Sequence, residues 1–110
     1  MSTHRRTWQQ WEQAVAELFG GHRRGPLTRD GSGPKSDVAG ETGFCIEVKL
    51  LSRPTWGQLQ MAVAQAERAA EAEGKGEEPI VIVRKKGDQK DNALVVQRLG
   101  TFREWRGLGE

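Results

Sequence analysis

The run Phe44-Cys45-Ile46-Glu47-Val48-Lys49-Leu50-Leu51 carries two charges inside an otherwise apolar, strand-like segment. Side chains alternate along a strand, so Phe44, Ile46, Val48 and Leu50 point one way and Cys45, Glu47, Lys49 and Leu51 the other. Glu47 and Lys49 therefore emerge side by side on one face. Taking a charge out of water is costly unless it is paired or metal-bound, so two charges in this setting need a reason. Asp37 lies ten residues before Glu47, across the turn Gly40-Glu41-Thr42-Gly43. A hairpin there brings the two carboxylates together. They repel unless a hard cation joins them, and Mg²⁺ favours such oxygen ligands while keeping several waters. The cation makes a bound water a better nucleophile and offsets charge on a phosphoryl oxygen. Lys49 beside it is suited to orient that water or to balance transition-state charge.

Glu12 is a third candidate. Trp8, Trp11, Val15 and Phe19 define one face of a helix, and Glu12 falls on that face whereas Glu17 points away. Glu12 either joins the acidic pair, reaches water at the edge of the stripe, or pairs with an arginine such as Arg24. Ser32, in a Gly-rich loop, can bind a phosphate or be a plain turn residue. Gln65 reads as an exposed polar residue near the strand's end or as a contact to the site. Glu73-Gly74-Lys75 and Asp88-Gln89-Lys90 also match the acid-x-lysine pattern. No apolar strand frames either one, and both are set aside.

These residues need a scaffold. Helical periodicity predicts a first helix over about 5–19, with Thr7 and Gln10 as a capping box and Gly20-Gly21 as its stop. Residues 22–35 read as loop with a short strand near 22–24. Asp37–Ala39 and Phe44–Leu51 read as a hairpin. Thr55 with Gln58 caps a second helix, whose stripe is Trp56, Leu59, Val63, Ala66 and Ala70. Its flanking alanines suit close packing on a sheet. Strands follow at 79–84 and 93–97, and Thr101 with Glu104 opens a closing helix. The helix between 44–51 and 79–84 is long enough for a parallel crossover. The expectation is an α/β fold: one domain over 1–110, with a small mixed central sheet flanked by helices in the order α-β-β-α-β-β-α.

The chain is 35% apolar and 29% charged, polar for a globular protein but not disordered. A domain of 110 residues buries only a modest core, and dimerisation would relieve that. Net charge is +2. Basic residues cluster at His4-Arg5-Arg6, His22-Arg23-Arg24, Arg84-Lys85-Lys86 and Arg103 with Arg106. Arg5, Arg6, Arg23, Arg24, Arg29, Lys35, Lys85 and Lys86 are candidate phosphate contacts, and each also reads as solvated surface. Cys45 is the only cysteine, which excludes an intrachain disulfide and a cysteine-based zinc site. No signal peptide and no membrane-length apolar run is present, so a soluble, cytoplasmic setting is expected.

The order Glu12, Asp37, Glu47-Val48-Lys49 resembles the PD-(D/E)xK nuclease superfamily, and within it the archaeal-type Holliday junction resolvases and their phage-encoded relatives. Trp11-Glu12-Gln13 through Leu18-Phe19-Gly20-Gly21 resembles that family's first helix. Gly31-Ser32 with Ser36-Asp37-Val38 resembles its serine loop and metal-binding aspartate. Phe44–Lys49 resembles its core strand. Gln65-Ala66-Glu67, Pro79–Val83 and Ala93–Val96 resemble the remaining helix and strands. Ser36 stands where the motif's proline would be. The resemblance implies a restriction-endonuclease-like core and a homodimer that binds four-way DNA junctions in recombination and repair. Each subunit would cut one strand by Mg²⁺-dependent hydrolysis, with Mn²⁺ substituting and no small-molecule cofactor or membrane involved. Asp37 and Glu47 would bind metal, Glu12 would complete or support that shell, and Lys49 would serve the nucleophile. Ser32 would be the loop serine important for cutting, with Ser36 the alternative.

Three other readings stand beside this one. They are another nuclease or nickase of the same fold, a non-catalytic DNA-binding module, and an α/β structural domain in which Glu47 and Lys49 form a surface ion pair. A chain this short has little room for a separate base-reading unit, which favours recognition of DNA shape.

Overall fold

Apolar residues of alternating parity on the strands need cover on both faces, and two helices supply it. The structure, a computed structural model, describes residues 3–24 and 35–109, and of residues 3–6 the backbone. Helix α1 (Thr3–Leu18) leads into the two-residue strands β1 (His22–Arg23) and β2 (Val38–Ala39). Strand β3 (Phe44–Leu51), helix α2 (Trp56–Glu73) and strand β4 (Glu78–Lys85) follow. A 3-10 turn at Lys90–Asn92, strand β5 (Leu94–Val96) and helix α3 (Leu99–Arg106) close the chain. The described residues thus form a mixed α/β domain with three α-helices. No helix among them is long and apolar enough to cross a membrane.

The main sheet has the order β3-β4-β5. β3 and β4 run parallel, with Glu47 opposite Val81 and Lys49 opposite Val83. Helix α2 is the crossover that a parallel pair requires. β5 returns antiparallel along β4 and forms one edge, and β3 forms the other. On one face Ile46, Val48, Leu50, Ile80 and Ile82 pack against Trp11, Val15 and Ala16 of α1. On the other, Val81 and Val83 pack against Ala62, Val63 and Ala66 of α2, where small side chains allow close approach. Each fully buried Val or Ile here contributes roughly 1.5–3 kcal/mol.

Several local expectations are corrected. The hairpin of 37–39 with 44–51 does not form as a ladder, because β2 pairs with β1, His22 opposite Ala39 and Arg23 opposite Val38. β2 reaches β3 through the Asp37 N–H to the Ile46 carbonyl, and the Asp37 side chain then takes the next strand N–H that a ladder partner would have bonded. Gly21 permits this layout, since a Cβ there would collide with the Ala39 carbonyl oxygen. The Thr55–Gln58 capping box forms, and Gly74 ends α2 in the left-handed region at φ 65°. Thr7–Gln10 and Thr101–Glu104 instead lie within α1 and α3, which begin upstream of them. The buried stripe of α2 is Ala62, Val63, Ala66 and Ala69, while Trp56 is 76% exposed.

Candidate active site

Asp37 sits on the open edge of β3. Its N–H donates to the Ile46 carbonyl at 2.9 Å, and its carboxylate accepts the Val48 N–H at 2.7 Å. N–H and C=O groups of alternate residues point to the same edge of a strand, so Asp37 satisfies groups of Ile46 and Val48 together. Glu47 lies between those two residues and is buried, 7% exposed. The carboxyl groups of Asp37 and Glu47 are close enough for each to shift the other's pKa. Two residues ten apart in the sequence thus converge, as the sequence pattern anticipates.

Burial pushes both carboxyls above their ordinary range. For Asp37 the Val48 N–H and the charge of Lys49 pull back against that rise. For Glu47 burial comes first and the charge of Asp37 second, with Lys49 opposing, and its pKa is pushed up to about 8. The pair therefore favours holding a proton near neutral pH. Two buried carboxyl groups with one compensating lysine are a site for one positive charge, either a proton or a cation. Their hard oxygens fit a Mg²⁺-like ion, which keeps most of its waters and needs few protein ligands.

Glu12 is half-buried, as its place on the apolar face predicts, and Glu17 is exposed. The Trp11 indole N–H donates to the Lys49 carbonyl at 3.1 Å and ties α1 to β3 beside the site. The Glu12 charge adds to the causes that raise the Glu47 pKa. Glu12 itself accepts Arg23 Nε at 2.9 Å. The partner is thus an arginine, Arg23 rather than Arg24. Among the described residues no group of three His, Cys, Asp or Glu side chains is arranged to hold a metal ion. Glu12 is engaged by Arg23, and its charge bears on Glu47.

Arg24 serves another centre, which the sequence pattern does not reveal. Its guanidinium donates to the Ser36 carbonyl at 2.7 Å and to Glu73 Oε1 at 3.0 Å. Glu73 Oε1 also accepts the Ser36 N–H at 2.9 Å and the Ser36 hydroxyl at 3.0 Å. Ser36 is 2% exposed, so it is a buried clamp residue and not a phosphate-binding loop serine. The network fixes the residue before Asp37 to the last turn of α2. Glu73 looks like a solvated turn residue in sequence, and only its meeting with a segment 37 residues away gives it this role. Cys45 lies beneath the clamp, with Sγ 3.7 Å from Glu73 Oε2, and burial pushes its thiol up to about 12, which leaves it inert.

Lys49 opens into a cleft of about 190 Å³ that it shares with Gln58, Met61 and Gln65. Gln65 is therefore beside the site. Lys85 and Lys86 are exposed at the end of β4, and Lys35 is half-buried. Arg23 and Arg24 are committed to Glu12 and Glu73. Ser32 and Arg29, and the side chains of Arg5 and Arg6, lie outside the described residues. Arg84 stacks on the Trp11 ring at 4.6 Å.

Comparison with protein-family models, with curated proteins and with solved structures returned no match.

Proposed function

We propose that the chain is a Mg²⁺-dependent, structure-selective DNA endonuclease with a restriction-endonuclease-like core, acting on four-way junctions by paired phosphodiester hydrolysis. The observation that supports this best is the docking of Asp37 on the edge of β3 beside Glu47, through the Ile46 carbonyl and the Val48 N–H, with Lys49 following on the same face of that strand. Asp37 and Glu47 would hold the cation, which would supply an activated water and charge stabilisation at the scissile phosphate. The buried position of Glu47 keeps its carboxylate poorly hydrated and ready to exchange its proton for a cation. Lys49, at the mouth of the neighbouring cleft, places a positive charge where a phosphate can approach. Glu12, held by Arg23, tunes the pair by its charge. Lys35, Lys85 and Lys86 supply part of the sequence-independent attraction for the backbone. Paired cuts require two centres, hence a homodimer.

The test is cleavage of labelled four-way, nicked, single-stranded and linear duplex DNA with and without Mg²⁺ or Mn²⁺. Paired symmetric cuts confined to the junction are expected. Efficient cutting of linear duplex would instead identify another nuclease or nickase of this type. Tight junction binding with no cutting would identify a non-catalytic module.

A further inference from the structure

Helix α3 has no buried residue, although Leu99, Phe102 and Trp105 recur on it at a spacing of three. Such a stripe covers about a third of a helix surface and marks a side made to be packed. Within the chain, α3 is held by polar links at its two ends. Arg98 pairs with Glu67 of α2, and Arg106 with Glu78 of β4. Leu99 also lines a groove of about 300 Å³ with Trp56, Leu59, Val63 and Val96. Leu94, on the edge strand β5, is 63% exposed on the same side of the sheet as Val96.

We propose that this face, formed by β5, α3 and the start of α2, is the contact between two copies of the chain. Trp56, Leu94, Leu99, Phe102, Trp105 and Leu108 are 40–76% exposed. Their exposed areas sum to on the order of 700 Å², of the size that each partner buries in a stable interface, and Arg106 covers one face of the Phe102 ring at 4.2 Å. The charges fit a self-complementary contact. Arg98 and Arg106 are neutralised by their own carboxylates, which leaves Arg103 and Glu104 as one of each sign on α3. A face so balanced meets its own copy without net repulsion and offers a polyanion little. β5 is also an edge strand, and antiparallel pairing across a two-fold axis is self-complementary. The proposal adds a contact surface to the paired-incision reading above, on which it rests only for its purpose.

The test is light scattering of the full chain at micromolar concentration. Twice the 12.2 kDa chain mass is expected. Leu99→Glu with Trp105→Glu should weaken association ~100-fold or more and give the single-chain mass with unchanged far-UV circular dichroism. Leu18→Glu, at an exposed apolar position of α1, should stay dimeric. In the unmodified chain, amide protection over 94–106 should fall on dilution, which checks the face without any substitution. A single-chain mass for the unmodified protein, a dimer persisting in the double variant, or protection independent of concentration would each overturn the proposal. Failure of the nuclease reading leaves these masses unchanged. Failure of the dimer leaves Mg²⁺-dependent nicking by single chains measurable.

Discussion

The Asp37 carboxylate accepts the Val48 backbone N–H at 2.7 Å, so a residue outside the main sheet completes the open edge of its first strand. That bond sets Asp37 beside Glu47, and when both carboxyls are ionised the pair carries more negative charge than Lys49 alone offsets. The site's chemistry follows from this imbalance.

Asp37→Asn and Glu47→Gln should each lower Mg²⁺-dependent junction cleavage more than ~100-fold while junction binding in Ca²⁺ or EDTA survives. The Asn amide oxygen can still accept the Val48 N–H, so the fold should persist. Gel-shift and cleavage assays on the same preparations check this. Wild-type cutting by either variant would remove the site assignment.

Stability should fall as pH rises without metal. Folded Glu47 keeps its proton to about pH 8, whereas the unfolded side chain loses it near 4.5. Between those values the native state binds the extra proton, so its advantage is complete below the lower value and disappears through the upper one. The raised Asp37 adds in the same direction. Tm measured from about pH 5 to about pH 8 should therefore decline, and Glu47→Gln should flatten the slope. Mg²⁺, which binds the deprotonated pair, should raise Tm more at the alkaline end.

Lys49→Met should leave metal affinity within a few-fold and reduce kcat by roughly 10²–10³. Isothermal titration with Mn²⁺ and single-turnover cleavage separate the two effects. A loss confined to substrate binding would assign the lysine to phosphate capture instead.

Glu12→Gln should leave the fold intact and reduce cleavage by roughly 10-fold, through the neighbouring charge rather than through a metal bond. The same variant should lower the pKa of Glu47, because the Glu12 charge raises it. A ¹³C carboxyl titration reads that shift, and an unmoved Glu47 would sink the electrostatic role.

Glu73→Ala should destabilise the chain by about 3 kcal/mol, because it strands Arg24 and the Ser36 N–H in a largely buried setting. Glu73→Gln keeps an acceptor and should cost less. Urea unfolding of both variants checks the order. An exposed, unimportant Glu73 would give no change in either.

The sequence by itself determined which residues carry charge inside an apolar strand and the side on which they emerge. Two-residue alternation at Phe44–Leu51 is a local steric rule that tertiary structure had no freedom to change. The same holds for the order of the main elements and for the capping box at Thr55, which depend on neighbours within a few positions. Tertiary structure alone decided what those residues meet. Thr7 and Thr101 carry the capping pattern without acting as caps, since the pattern does not fix where the backbone leaves the helix. β2 pairs with β1 rather than β3, and the Asp37 side chain occupies the edge of β3 instead. Arg23 and Arg24 are adjacent and chemically alike, yet one reaches Glu12 and the other Glu73, 49 residues beyond it. Ion pairs act through space over a few ångströms, and separation along the chain carries no record of them.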